Sequence, residues 1–259
     1  MRPTTPPLPP VIGHRGAAAH APENTLAGFR AAKALGCAWV EFDVRLTADG
    51  ALVLCHDDRL ERTTDGRGRI SKLPLAAIRQ CDAGGWFGKA FVGERVPTLD
   101  EALGCCGELG LGANIEIKAE RGWESFTAAA VADCLDRLPS SLPPILISSF
   151  MREAVAEAAT RAPHIPRGML WQKVPRGWMK VAEQLDCTTV NADQAYLSQS
   201  MAAEICAAGY RLLAYTVNDP DRARQLFGWG TASVFSDAPD IIQTAAGPWV
   251  AEARQGARC

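Results

Sequence analysis

The 259-residue sequence lacks several features that mark whole classes of protein. It has no run of about 18 apolar residues, so we expect no membrane-spanning helix. Its formal net charge is only -2, from 27 basic and 29 acidic side chains, so no general electrostatic field favours a nucleic-acid partner. Any anion that binds must therefore do so at a local site.

Cysteine patterns that bind metals or build disulfide scaffolds are also missing. The nine cysteines are an odd number and show no Cys-x-x-Cys spacing. The first ten residues contain no apolar run of the kind found in signal peptides. We therefore expect reduced thiols and a cytoplasmic protein, and the sequence indicates no particular oligomeric state.

The patterns that are present indicate one α/β domain over residues 1–259. Short apolar runs rich in β-branched residues alternate with longer amphipathic stretches, which is typical of parallel strands joined by helices. Eight strands are predicted, at Val11–Gly13, Trp39–Arg45, Ala113–Lys118, Ile145–Ser148, Gly168–Trp171, Thr189–Asn191, Leu212–Val217 and Ser233–Phe235. This number favours a closed (β/α)8 TIM barrel. An open doubly wound sheet is the alternative, but no Gly-x-Gly-x-x-Gly turn follows the first strand.

Capping residues predict helices between these strands. Asn24 or Thr25 begins a helix that Gly36 closes, and Thr98 to Glu101 reads as a capping box. Residues 57–97 interrupt the repeat, because they contain several glycines and a single short helical stretch. We interpret them as a small insertion after the second strand.

Two predicted strands carry charged side chains in mid-strand. Residues two apart in a strand project from the same face, so Glu41 points with Asp43. Glu116 points with Lys118 in the same way. Three carboxylates against one lysine leave negative charge that a divalent cation balances, and a salt-bridge network inside the barrel is the alternative. Oxygen ligands with no nearby cysteine favour Mg²⁺ or Ca²⁺ over zinc.

A tight turn is predicted at Asp49 and Gly50, because Asp-Gly is a strong two-residue hairpin signal. With these two residues as the loop, Ala48 pairs with Ala51. Counting back along the hairpin then places His56 opposite Asp43, unless a bulge shifts the register. The hairpin is therefore expected to bring a histidine to the carboxylates.

His14 ends the first predicted strand, on the side where barrel enzymes place their active sites. The guanidinium of Arg15 suits phosphate oxygens, and Gly16 allows close approach of the backbone. The chain has only four histidines, and two of them, His14 and His56, fall where the carboxylates do. That coincidence favours catalysis over a structural role.

These residues resemble the glycerophosphodiester phosphodiesterases. The similarity begins at His14-Arg15-Gly16 and takes in Ala21-Pro22-Glu23-Asn24-Thr25, Glu41-x-Asp43 and His56-Asp57. It continues through Gly85-Trp86-Phe87, Val96-Pro97-Thr98-Leu99-Asp100-Glu101, Ile115-Glu116-Ile117-Lys118, Ser149-Phe150, Thr216-Val217-Asn218 and Ser236-Asp237-Ala238-Pro239. The resemblance therefore spans nearly the whole chain. It implies a TIM barrel, a divalent cation on Glu41, Asp43 and Glu116, and an acid/base pair at His14 and His56.

The reaction implied by the resemblance is hydrolysis of a glycerophosphodiester to sn-glycerol 3-phosphate and an alcohol such as choline or ethanolamine. Arg15 and Lys118 suit the charge that develops on the phosphate oxygens. Tyr215 stands where the family often has tryptophan, so we expect a retained aromatic wall and altered substrate fit. His14 is assigned as base and His56 as acid, although the sequence leaves this assignment open. Whether the nucleophile is water or the substrate's own hydroxyl, through a cyclic intermediate, also stays open.

Two other functions are alternatives at this point. A lysophospholipase D-type phosphodiesterase acting on lipid uses a similar set of residues and needs an apolar entrance. A catalytically silent barrel that binds a phosphorylated metabolite is the other alternative. The presence of both histidines and all three carboxylates argues against such a loss of activity.

Overall fold

Parallel strands and helices alternate along the chain, as the sequence pattern predicts. The computed structural model describes residues 3–137 and 143–253. Its strands are β1 Val11–Gly13, β2 Trp39–Leu46, β3 Leu52–Leu54, β4 Gly112–Ile117, β5 Ile145–Ser149, β6 Arg167–Trp171, β7 Thr189–Asp193, β8 Arg211–Tyr215 and β9 Ser233–Ser236. Its helices are α1 Leu26–Ala34, α2 Leu75–Ile78, α3 Leu99–Leu109, α4 Glu124–Arg137, α5 Arg152–Arg161, α6 Trp178–Gln184, α7 Gln199–Ala207, α8 Pro220–Gly228 and α9 Pro239–Ala253.

Eight of these strands form a closed parallel barrel. β1 pairs with β2 on one side and with β9 on the other, where Val11 lies opposite Val234. The remaining neighbours follow chain order, with β3 added antiparallel to the outer part of β2. The (β/α)8 TIM barrel is therefore confirmed, and the open sheet is excluded because β1 joins the two ends.

The barrel interior is apolar in its lower part. Ile12, Trp39, Leu146, Leu213 and Phe235 project inward from five strands and form one buried cluster. The two larger clusters, between the strands and the surrounding helices, supply the outer core. The inward-facing side chains become polar and charged toward the C-terminal ends of the strands, which is where barrel enzymes carry their sites.

The hairpin between β2 and β3 differs from its predicted register by one residue. The N–H of Thr47 donates to the carbonyl of Ala51 at 2.8 Å, so these two residues close the turn. Ala48 belongs to the loop and does not pair with Ala51. Gly50 has a φ of 81°, a left-handed backbone that glycine adopts without strain. The prediction was wrong because the loop has three residues and ends in this glycine.

This shift changes how His56 reaches the site. The N–H of Cys55 donates to the carbonyl of Asp43 at 3.1 Å, so Cys55 occupies the place predicted for His56. His56 follows the end of β3, and its carbonyl accepts two hydrogen bonds from the Arg45 guanidinium at 2.6 and 3.0 Å. The chain leaves the ladder there, and His56 enters the barrel mouth from a loop.

The segment from 57 to 97 packs beside that mouth. The predicted short helix is present as α2, and two 3-10 turns, Ile70–Lys72 and Lys89–Phe91, accompany it. Apolar side chains of the segment form a small core with the hairpin, consisting of Val53, Cys55, Leu60, Ile70, Ile78, Ala83 and Val96. This core holds the segment against β3.

Candidate active site

Three carboxylates meet inside the C-terminal end of the barrel. Glu41 and Asp43 project from the same face of β2, and Asp43 lies in register with Glu116 on β4. One oxygen from each side chain lies within 4.8 Å of the others, and all three residues are buried. Strand alternation and the parallel register between β2 and β4 therefore assemble the predicted cluster.

Two cations lie against the carboxylates. The Lys118 Nζ is 2.5 Å from Glu116 Oε1 and 3.4 Å from Asp43 Oδ1. The Arg15 Nε is 3.3 Å from Asp43 Oδ2, and the Arg15 backbone N–H donates to Glu41 Oε2 at 3.0 Å. Three buried acidic groups against two basic ones leave an excess of negative charge.

The excess of negative charge contributes to shifts in the pKa values of the three carboxyl groups. Burial raises the pKa of Glu116 to about 7, and the nearby Asp43 adds to the effect. Burial likewise raises the pKa of Glu41, together with Asp43 and Glu116. Burial also opposes ionisation of Asp43, but Lys118 and Arg15 outweigh it and lower the pKa of that carboxyl. Asp43 is therefore the group that stays ionised, and Glu41 and Glu116 hold protons more readily.

The cluster suits a divalent cation of the hard, oxygen-binding type. Glu41 Oε1 is buried and accepts no hydrogen bond from any residue in the described part of the chain. A buried acceptor without a partner is costly, and a cation bound there would satisfy it. All three side chains offer oxygen, the donor that Mg²⁺ and Ca²⁺ prefer.

Asn24 holds the central carboxylate in place. Its Nδ2 donates to Asp43 Oδ2 at 2.9 Å, and its Oδ1 accepts from the Asp43 backbone N–H at 3.0 Å. Asn24 has a positive φ of 56°, so it lies outside the helix. Thr25 is the N-cap of α1, with its hydroxyl accepting from Gly28 at 3.1 Å. Of the two capping residues that the sequence allowed, Thr25 is correct, and Asn24 serves the site.

His14 is oriented by a carboxylate from the last strand of the barrel. Its Nδ1 lies 2.6 Å from Asp237 Oδ1, and its Nε2 lies 3.8 Å from Glu41 Oε2. The second oxygen of Asp237 accepts a hydrogen bond from Asn218 at 2.7 Å. Asp237 therefore fixes the ring so that Nε2 faces the carboxylate cluster.

His56 has a comparable partner next to it in the chain. Its Nδ1 lies 2.8 Å from Asp57 Oδ1, and Asp57 is in turn held by the Arg62 guanidinium at 2.7 Å. Burial lowers the pKa of His56, although the charge of Asp43 opposes this. The histidine is thus available in its neutral form near pH 7, as a proton acceptor must be.

The loop after β1 is shaped by two residues in left-handed conformations. Gly16 has a φ of 94°, and a Cβ there would lie 2.7 Å from the backbone of Gly28, so only glycine fits. Arg15 has a φ of 50°, and its Nη1 donates to Glu23 Oε1 at 2.8 Å. The guanidinium is therefore locked at the edge of the site before any ligand arrives.

One cavity of about 300 Å³ connects these groups. Both histidines, Arg15, Lys118, Glu41 and Glu116 line it, together with Asn114, Phe150, Asp193, Tyr215 and Thr216. The ring of Tyr215 packs edge-on against Phe150 with centroids 5.8 Å apart. The Tyr215 hydroxyl is buried and has no hydrogen-bond partner among the residues that the structure describes. The cavity thus combines charged groups with one aromatic wall.

Several residues that matter here had no role assigned from the sequence. Asp57, Phe150 and Asp237 lay inside recognised motifs, but their side-chain partners are set by the tertiary fold. The sequence could have indicated a role for Asp237, because this residue directly follows β9 at the end of the barrel where active-site residues lie. Asn24 gave no such signal, since asparagine before a helix ordinarily indicates a cap.

The fold and this site together define a (β/α)8-barrel enzyme with a buried cluster of three carboxylates and two histidine–aspartate pairs. The sequence profile of the Glycerophosphoryl diester phosphodiesterase family matches residues 14–241, and the chain belongs to that family. The enzyme class expected from the sequence, glycerophosphodiester phosphodiesterase, is confirmed.

Relatives resemble the chain over most of its length. The structure of an Oleispira antarctica phosphodiesterase in complex with the product sn-glycerol-3-phosphate is 43% identical, with a TM-score of 0.90 over 93% of this chain and 97% of that one. A glycerophosphodiester phosphodiesterase of Caldanaerobacter subterraneus is 31% identical over 90% of this chain and 95% of its own length. A glycerophosphodiester phosphodiesterase of Bacillus subtilis is 31% identical over 89% of this chain and 84% of its own length. Within the described residues, no helix is long and apolar enough to cross a membrane.

Proposed function

We propose that the chain hydrolyses glycerophosphodiesters to sn-glycerol 3-phosphate and an alcohol in a reaction that needs a divalent cation, Mg²⁺ or Ca²⁺. Glu41, Asp43 and Glu116 hold the cation, and His14 and His56 are the acid/base pair. The observation that carries this proposal is that two histidines, each with Nδ1 held by an aspartate, line the same cavity as the carboxylates.

The chemistry follows from the charges around the cavity. Phosphodiester hydrolysis is accelerated when charge on the non-bridging oxygens is neutralised and the leaving alkoxide is protonated. A bound cation supplies the first effect, and Lys118 and Arg15 reinforce it from the cavity wall. One histidine takes a proton from the nucleophile, and the other gives a proton to the leaving oxygen. Each such transfer contributes about 10²- to 10⁴-fold.

The glycerol end of the substrate is assigned to the polar and aromatic part of the cavity. The Oleispira antarctica enzyme was solved with the product sn-glycerol-3-phosphate, which supports the same product here. The Tyr215 hydroxyl has no hydrogen-bond partner among the described residues and lies beside the Phe150 ring. Asp193 and Thr216 lie in the same cavity. Hydroxyl groups of a glycerol moiety suit these side chains as hydrogen-bond partners.

The direct test is release of sn-glycerol 3-phosphate from glycerophosphocholine. We expect release by the purified protein, loss of release on treatment with a chelator, and recovery when Mg²⁺ or Ca²⁺ is added. Asp43→Asn is expected to remain inactive after the same addition, because it removes the cluster's ionised carboxylate. Full activity in excess chelator would contradict the cation requirement.

Two further assays compare this function with the two alternatives named from the sequence. A lysophospholipase D would cleave lysophosphatidylcholine faster than glycerophosphocholine at equal concentration, and we expect the reverse order. A silent binding barrel would show the same background rate in wild type and in His14→Ala. We expect the wild type to exceed this variant by at least about 10²-fold.

A further inference from the structure

A second depression adjoins the active-site cavity on the outside of the barrel mouth. It is an open groove of about 700 Å³ that starts at His14 and Arg15, which also line the cavity. Trp86 and Phe87, from the segment beside the barrel, line it together with Ile241 from the first turn of α9. The groove is therefore continuous with the reaction centre.

The charged groups in the groove are already paired with one another. Both Glu23 oxygens accept hydrogen bonds, from Arg15 at 2.8 Å and from Arg62 at 2.7 Å. Both Asp237 oxygens are also engaged, one with His14 at 2.6 Å and the other with Asn218 at 2.7 Å. Among the described residues that line the groove, neither carboxylate is therefore free for a cationic ligand.

The apolar surface of the groove is exposed but held in place. Trp86 is 43% exposed and Ile241 is 49% exposed, although side chains of this size usually avoid water. The Trp86 Nε1 donates to the Ala83 carbonyl at 2.9 Å, and its ring packs edge-on against Phe87 with centroids 5.6 Å apart. An indole fixed in this way offers a preformed apolar surface at low entropic cost.

We propose that this groove is the subsite for the leaving alcohol and that it favours uncharged, apolar alcohol groups. The inference rests on the proposed function, in which the glycerol end lies in the inner cavity. A phosphodiester at the carboxylates then directs its other ester group past His14 and Arg15 toward Trp86. The leaving oxygen lies beside His14 in this arrangement, which is opposite to the acid and base roles expected from the sequence.

Three esters of sn-glycerol 3-phosphate test the subsite, because they differ only in the alcohol. They are the methyl ester, the 3,3-dimethylbutyl ester and the choline ester, the last two being nearly equal in shape and different in charge. We expect kcat/KM for the dimethylbutyl ester to exceed that for the methyl ester by about tenfold. We also expect the choline ester to be hydrolysed no faster than its uncharged counterpart.

Variants then locate the effect. In Trp86→Ala and in Ile241→Ala the ratio of dimethylbutyl to methyl kcat/KM should fall toward one. Phe126→Ala, which removes a 70% exposed ring on α4 outside the groove, is the matched control and should keep the wild-type rates. Two substituted positions on different elements guard against misfolding of one variant.

The outcomes separate this proposal from the proposed function. One outcome is that the wild type hydrolyses all three esters while neither variant changes the ratios of their kcat/KM values. That result overturns the groove subsite and leaves the proposed function standing. A KM markedly lower for the choline ester than for the dimethylbutyl ester overturns the apolar assignment and indicates a cation site. No hydrolysis of any ester by the wild type contradicts the proposed function, and the groove proposal falls with it.

Discussion

The Nδ1 atom of His14 lies 2.6 Å from Asp237 Oδ1, although 223 residues separate them in the sequence. Closure of the barrel brings them together, because β1 pairs with β9 and both residues follow the ends of those strands. A half-buried carboxylate at this nitrogen fixes the tautomer and the orientation of the ring. We therefore infer that Asp237 is a positioning residue, which acts through His14 in the proposed mechanism.

Asp237→Asn is expected to lower kcat by about 10- to 100-fold, because the amide no longer selects the productive tautomer. The fold should be retained, since the side chain keeps its size. Asp240→Asn is the matched control, because Asp240 forms a similar 2.8 Å contact with the exposed His20, away from the cavity. Equal kcat values in the Asp237 variant and the control would refute the positioning role.

Replacement of either histidine of the site should abolish most activity. His14→Ala and His56→Ala are each expected to lower kcat by about 10²- to 10⁴-fold, as loss of a general acid or base does. His164→Ala, at an exposed position, should have no effect. Steady-state kinetics would measure kcat for each variant, and circular dichroism would check that each variant is folded. A folded His56→Ala variant with the wild-type kcat would exclude His56 from catalysis.

Tyr215→Phe removes one hydroxyl and leaves the aromatic wall intact. The hydroxyl is buried with no partner among the described residues, so its loss should not reduce the free energy of unfolding. If it binds a substrate hydroxyl, kcat/KM should fall by about 2- to 10-fold, the value of one neutral hydrogen bond. Unchanged kcat/KM together with raised stability would show that the hydroxyl has no ligand.

Stabilisation by a cation should increase with pH. A carboxyl whose pKa is raised on folding contributes stability below its ordinary pKa of about 4.3, and this contribution is lost as pH rises through the folded value. Glu116, with a pKa of about 7, and Glu41, whose pKa is also raised, therefore destabilise the cation-free protein near neutral pH. Asp43 shifts the other way, so its contribution is lost only at acidic pH.

Bound cation replaces those protons, so the increase in Tm caused by Mg²⁺ or Ca²⁺ should be larger at pH 8 than at pH 5.5. Scanning calorimetry with and without the cation measures this difference. Glu116→Gln is the control, because it removes one of the two titrating groups and should reduce the pH dependence. The same increase in Tm at both pH values would contradict cation binding at these carboxylates.

Much of the fold was predictable because it depends on local patterns. Apolar runs located the eight barrel strands, and alternation within β2 and β4 placed Glu41, Asp43 and Glu116 on inward faces. The hairpin register failed by one residue, because Asp49–Gly50 fits both a two-residue and a three-residue loop. The partnership of His14 with Asp237 was not predicted, since it depends on barrel closure and not on any local spacing.

A crystal structure grown with Mg²⁺ or Ca²⁺ at pH 8 would show whether the three carboxylates bind a cation. We expect one cation bonded to an oxygen of each of Glu41, Asp43 and Glu116, at about 2.0 to 2.1 Å for Mg²⁺ or 2.3 to 2.6 Å for Ca²⁺. A cation bound elsewhere, with the three carboxylates contacting only Arg15, Lys118 and Asn24, would contradict it.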